Sequence, residues 1–267
     1  MTFLIIKIVA AAIIVLGFSI LAERVGPRLA GVLMGAPFGA LISYYFIGHE
    51  AGPAFVAAGV PHAVAGLVGT LSFTYAYYRV SIRLAAAPAL WNAGASTLAG
   101  LIAFFIWTAA IHDISLSIPT ALMVLIPFMV LFTYLFRQAG NVRVRTPAKL
   151  TPKLLAIRAG GAALLVSAVS SAAVLLGPAW GGLLMGFPMT LLPTMLIIHL
   201  SYTKEHVHSF LGAFPIGLGS LVAYILVVSE SFPRFGVDLG TLIALGAAYV
   251  YLAILPLAFR WTRKLRS

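Results

Sequence analysis

Residues 26–41 read GPRLAGVLMGAPFGAL, and residues 177–192 read GPAWGGLLMGFPMTLL. At a constant offset of 151 they share Gly26/Gly177, Pro27/Pro178, Gly31/Gly182, Leu33/Leu184, Met34/Met185, Gly35/Gly186, Pro37/Pro188 and Leu41/Leu192. Eight identities in sixteen ungapped positions mark an internal duplication. Ser19/Ser170 and Ala22/Ala173 carry the match upstream. Downstream, a three-residue insertion aligns Pro61 with Pro215 and Leu67-Val68 with Leu221-Val222.

Both copies lie in a strongly apolar chain. Of its 267 residues, 62% are apolar and 9% charged, with a mean hydropathy of +1.07. A soluble domain carries roughly 25% charged residues, so the solvent expected here is lipid. That excludes a cytosolic enzyme, a disordered regulator and a secreted scaffold. The absence of cysteine removes disulfides, iron–sulfur clusters and thiolate-bound zinc. No cofactor is expected.

A membrane crossing needs about 20 apolar residues. Nine such runs are read, at 3–22, 29–47, 55–78, 89–111, 115–136, 157–176, 179–200, 209–229 and 239–259, with eight to ten allowed by the less distinct boundaries. The first could instead be a cleaved signal sequence with Lys7 at its charged end, although the repeat runs back into it. The net charge of +11 sits almost wholly in the gaps, which argues against nucleic acid and for the positive-inside rule.

The stretch 137–158 holds six basic residues, no acids and two prolines, and reads as a cytoplasmic linker. It divides a first half, 1–136, from a second, 159–267. Placing it inside also puts Arg24, Arg28, Arg79, Arg83, Lys204, Arg260, Arg263, Lys264 and Arg266 inside, and leaves only Lys7 and Arg234 outside. The expected fold is thus an all-α polytopic membrane protein with its N-terminus outside and its C-terminus in the cytoplasm. Five spans precede the second half, an odd number, so the halves are expected to have inverted topology. Inverted halves around a midplane site are the architecture of many secondary transporters.

In each copy a Gly-x-Pro interrupts an apolar span. Proline lacks an N–H, so the carbonyls of Leu33 and Leu184, four residues before Pro37 and Pro188, are expected to lose their helical partners. Gly35 and Gly186 let the backbone depart further. Such breaks are tolerated in lipid where protein or a wet cavity covers the freed groups. Gly31, Leu33, Met34, Gly35 and Pro37, with Gly182, Leu184, Met185, Gly186 and Pro188, are therefore the candidate substrate-facing residues. The spacings Gly31-x-x-x-Gly35 and Gly182-x-x-x-Gly186 also suit plain helix packing.

Ionisable groups inside a membrane are expensive and are candidate sites by default. His62 lies well within its span and is the first proton-coupling candidate. His49, Glu50 and His199 lie near span ends and are the others, because histidine titrates near neutral pH. Asn92 is a buried polar candidate for substrate contact or for an interhelical hydrogen bond. Lys204, Glu205, His206 and His208 read as a solvated cytoplasmic cluster without a full metal-ligand set. His112 and Asp113 read as an exposed pair in an outer loop. Tyr44, Tyr45, Tyr77, Tyr78, Trp107 and Trp261 fit interfacial aromatic belts.

No phosphate-binding loop, His-Glu-x-x-His pair or Gly-x-Ser-x-Gly elbow is present, and no enzyme is expected. The function expected is secondary transport of a small neutral or anionic solute across the plasma membrane, coupled to protons or sodium. The expected partners are membrane lipids, that solute and the coupling ion, with no metal and no nucleic acid. The alternatives are a lipid-carrier flippase, with Arg24, Arg28, Arg79 and Arg83 near a headgroup, and a non-transporting subunit of a larger membrane complex.

Overall fold

The computed structural model describes residues 26–140 and 171–264, with isolated positions in 6–17 and 160–169, and side chains as far as Leu255. The predicted span 3–22, the linker 137–158 and the side chain of Trp261 lie wholly or largely outside the described residues, and the described positions of the predicted span 157–176 are helical as far as Leu175. Helix is the only regular structure among the described residues, with no strand among them. In chain order the helices are α1 (Pro27–Met34), α2 (Phe38–Ala51), α3 (Pro53–Arg83), α4 (Ala89–Ile111), α5 (Ile118–Leu135), α6 (Pro178–Met185), α7 (Leu191–Ser201) and α8 (Lys204–Lys264).

Five segments are long and apolar enough to cross a membrane: Pro27–Ala51, Pro53–Arg83, Ala89–Ile111, Ile118–Gln138 and Lys204–Leu255. The last accounts for two of the predicted spans, because α8 is two helical legs joined at Gly236. There φ is 77° and ψ 176°, a backbone region essentially closed to residues with a Cβ. The predicted span 179–200 consists of two short helices, α6 and α7, separated by a break.

The sorting of side chains follows from a lipid solvent. α3 forms the centre: Val60, Ala63, Val64, Leu67, Val68, Leu71 and Phe73 are fully buried. The first leg of α8 is its counterpart, with Phe210, Leu211, Leu218, Ile225, Val228 and Phe232 equally buried. In contrast, α4, α5 and the second leg of α8 turn Leu98, Ile102, Ile106, Met123, Ile126, Val130, Leu242 and Val250 outward. An apolar exterior of this extent is costly in water and neutral in hydrocarbon. At the start of α5, Ser117 and Thr120 form a capping box.

The ends of the bundle are defined by side-chain contacts. Lys204 Nζ, at the start of α8, donates 2.8 Å to the carbonyl of Ala85, just beyond the end of α3. Gly48, near the end of α2, packs on Val237 at the other end of α8's first leg. Gly31 of α1 lies on Phe210, near the start of α8, whereas Gly182 of α6 lies on Gly59, near the start of α3.

Several sequence expectations change. Tyr44 and Tyr77 are fully buried and Tyr78 nearly so, so none of them belongs to an interfacial belt. Each sits at a helix–helix contact, where ring area is worth more than at a lipid surface. Trp107 turns inward to donate 2.9 Å to the carbonyl of Ala65. The downstream insertion is also absent from the packing. Gly66 meets the backbone of Leu183, and Gly217 meets that of Val32, so the offset of 151 continues unbroken into α3 and α8.

Candidate functional site: paired helix breaks and a polar pocket

α1 ends at Gly35 (φ −72°, ψ −9°) and α6 at Gly186 (φ −75°, ψ −9°), the same geometry in both copies. Ahead of each helix stands a glycine at positive φ, Gly26 at 90° and Gly177 at 86°. Beyond each break the pattern also repeats. Ala36 N–H donates 2.9 Å to the carbonyl of Leu33, and Phe187 N–H donates 2.9 Å to that of Leu184. These tight turns correct the expectation of bare carbonyls at Leu33 and Leu184. The proline removes the ordinary donor, and the residue before it supplies a shorter-range one.

The glycines are points of close backbone approach between the halves. A Cβ on Gly31 would meet the carbonyl of Phe210; one on Gly35, the backbone of Gly217 and Leu218; one on Gly182, the carbonyl of Gly59. Gly186 is looser, with its nearest neighbours, Leu183 and Gly66, 3.2–3.3 Å from such a Cβ. The contacts are reciprocal at the offset of 151. Gly31 meets Phe210 as Gly182 meets Gly59, and Gly35 meets Gly217 as Gly186 lies over Gly66. Gly39 and Thr190, again 151 apart, touch one another.

A cavity of about 40 Å³ lies between the breaks, room for a few waters. Met34, Ala36, Gly39 and Thr70 line it from the first copy and α3, and Met185, Gly186, Pro188 and Thr190 from the second. Its polar edges are modest. Thr190 Oγ1 lies 3.7 Å from Met34 Sδ, Ser43 Oγ lies 3.5 Å from Met189 Sδ, and the Thr70 hydroxyl donates to the carbonyl of Gly186. Among the described residues no charged side chain lines the cavity. Pro37 precedes α2 and is buried at the same break, without lining the cavity.

A second, larger pocket of about 320 Å³ lies at the end of the bundle where α3 ends and α8 begins. Asn92, His199, Tyr202, Lys204 and Glu205 are on its wall. His199 is buried, with Nδ1 2.7 Å from the Tyr77 hydroxyl. His208 is buried as well, with Nε2 3.0 Å from Ser81 Oγ, and Lys204 Nζ stands 4.0 Å from Glu205. The predicted solvated cluster is thus partly built into the protein. Asn92 donates to the carbonyls of Ser81 and Leu84, at 3.0 and 2.8 Å, and accepts from Ser96 at 3.2 Å. Its amide holds the α3–α4 corner beside this pocket rather than facing the breaks.

The other proton-coupling candidates are scattered. His62 lies 3.1 Å from the carbonyl of Ile114 in the α4–α5 connection, toward the opposite end of the bundle and not beside the breaks. His49 is at that end too, 3.2 Å from Asp238, which also accepts from Tyr45 at 2.9 Å. Glu50 is exposed there. His112 pairs with Asp113 at 2.8 Å, as expected of a loop pair, and its ring lies 4.8 Å from that of Trp180.

The sequence reading did not single out Thr70, Thr74, Ser81 or Thr190. Helical hydroxyls satisfy themselves on their own backbone, so each is unremarkable alone. Comparison at the 151 offset is the signal that finds them. Among the described residues no group of three or more metal-binding side chains occurs. Comparison with protein families, with curated proteins and with solved structures finds no match.

Proposed function

We propose that the chain is a secondary transporter, built of two inverted halves, that moves a small neutral or anionic solute across the plasma membrane by alternating access. The observation that carries this reading is the uncharged cavity between the two matched breaks, lined from both copies. A site shared by two antiparallel, reciprocally packed segments can be offered to either side by rocking one against the other. Its hydroxyls, thioethers and broken-helix backbone suit a neutral solute or a weakly held anion, and among the described residues no acidic side chain lines it to hold a cation. At about 40 Å³ the cavity corresponds to a closed arrangement. Solute binding then requires the two breaks to separate.

Purified protein in liposomes, loaded in turn with sugars, neutral amino acids and small carboxylates under an imposed pH gradient, tests the proposal. At least one class should cross faster than in protein-free liposomes. Thr190→Trp, which fills the cavity, should slow that flux at least tenfold. Failure of every class, with rapid scrambling of a lipid-linked phosphate, would establish the flippase instead. Failure of both, with a stoichiometric partner retained on purification, would establish a subunit role.

A further inference from the structure

Four residues on one face of α3, at the heptad-like spacing 70, 74, 77 and 81, are polar and nine-tenths or more buried: Thr70, Thr74, Tyr77 and Ser81. Steps of four, three and four residues, close to the helical period of about 3.6, keep them in one row. The row has a defined start and end. Thr70 donates to the carbonyl of Gly186 at the second break and lines the cavity there. Tyr77 meets His199, which stands on the wall of the 320 Å³ pocket, and Ser81 meets His208 and lends its carbonyl to Asn92, also on that wall. From Thr70 to Ser81 the helix rises about 16 Å, roughly half a hydrocarbon core of about 30 Å.

The matched face of α8 has the opposite chemistry. At the offset of 151 the same four places hold Leu221, Ile225, Val228 and Phe232. The last three are fully buried, as their polar mates are. Tyr224, beside that row, sets its ring edge on Tyr44 at 5.8 Å. Packing alone would give two apolar rows, since burying hydroxyls stabilises a membrane helix little. A buried polar row that joins a pocket to a break, against an apolar row in the matched place, points to different access in the two halves.

We propose that the Thr70–Thr74–Tyr77–Ser81 row is a one-sided aqueous access route, admitting water and water-sized cations such as hydronium from the His199 pocket to the helix breaks, while the α8 row is a dry seal. The inference rests on the transport reading for its purpose, the delivery of a coupling proton, but not for its test. His199 stands at the mouth of the route, faced by Tyr77 of α3 and near Asn92 of α4 and Lys204, Glu205 and His208 of α8. While Nδ1 of His199 is unprotonated it accepts from the Tyr77 hydroxyl. Once it gains a proton it donates instead, and the hydroxyl turns its own proton away.

The chain has no native cysteine, so single cysteines report cleanly. Thr70→Cys, Thr74→Cys and Ser81→Cys are compared with Leu221→Cys, Ile225→Cys and Val228→Cys in sealed vesicles of known orientation. Silver ion, a thiol-seeking cation near hydronium in size, is applied from one side. The thiols left unreacted are then counted with a fluorescent maleimide after denaturation. The α3 cysteines should react at least tenfold faster than the α8 cysteines, and only with silver on the side carrying the His199 pocket. Equal rates in the two rows, fast or slow, or entry to the α3 row from the opposite side, would overturn the proposal. No solute is involved, so a failure of the transport reading leaves this result standing, and the reverse.

Discussion

Gly35 and Gly186 occupy matched places but face unequal crowding. A methyl group on Gly35 meets the backbone of Gly217 and Leu218, which cannot yield without moving a helix. One on Gly186 meets neighbours at 3.2–3.3 Å, which need give only a few tenths of an ångström. Gly35→Ala should therefore cost about 2–3 kcal/mol through overpacking, and Gly186→Ala less than about 1 kcal/mol. Thermal unfolding in detergent, followed by tryptophan fluorescence, checks the order of the two. Asn92 makes a second prediction at this scale. Asn92→Leu strands the carbonyl of Ser81 and removes the acceptor of the Ser96 hydroxyl, while the carbonyl of Leu84 keeps the Ala87 N–H at 2.9 Å. A loss of about 2–3 kcal/mol is expected, with faster hydrogen exchange across residues 81–88, because buried acceptors without donors carry their full desolvation cost.

At the scale of the element, the turn at Gly236 decides whether α8 is one helix or two. Its φ of 77° and ψ of 176° belong to a region that costs other residues roughly 1–3 kcal/mol. Gly236→Ala should lower stability by that amount and loosen the junction where Asp238 meets Tyr45 and His49. Hydrogen exchange at 230–240 should rise while α3 stays protected. The two breaks were legible in the sequence because glycine and proline act locally and leave little choice of backbone. The fate of the freed carbonyls was not, since the rescue by Ala36 and Phe187 depends on how tightly the turn closes. The belts of Tyr44 and Tyr77 failed for another reason. An aromatic near the end of an apolar run reads the same whether it faces a headgroup or a neighbouring helix.

For the whole molecule, composition and long apolar runs were enough to anticipate membrane-length apolar helices, because a run of about 20 apolar residues in lipid satisfies its backbone within one helix. The spans at 29–47, 55–78, 89–111 and 115–136 each coincide with a described segment of sufficient length. The polar row of α3 escaped notice for a specific reason. The supposed three-residue insertion set Thr70 against Tyr224 and Tyr77 against Ser231, which hides the contrast with Leu221 and Val228. Backbone contacts restore the register, and with it the difference between the halves. Polarity in a membrane protein is informative by comparison with its matched position more than by its amount.

The reciprocal contacts of Gly31 with Phe210 and Gly182 with Gly59 also bear on heredity. Each copy presents a groove shaped for the other and a ridge that fills the other's groove, which is the condition for a self-complementary pair. The peptide link across 141–170 is then needed for stoichiometry more than for recognition. Two genes, one encoding residues 1–140 and the other 141–267, should yield fragments that find each other in the bilayer and purify together with a tag on either. Substitutions at 31 and 210, or at 59 and 182, should be inherited as pairs.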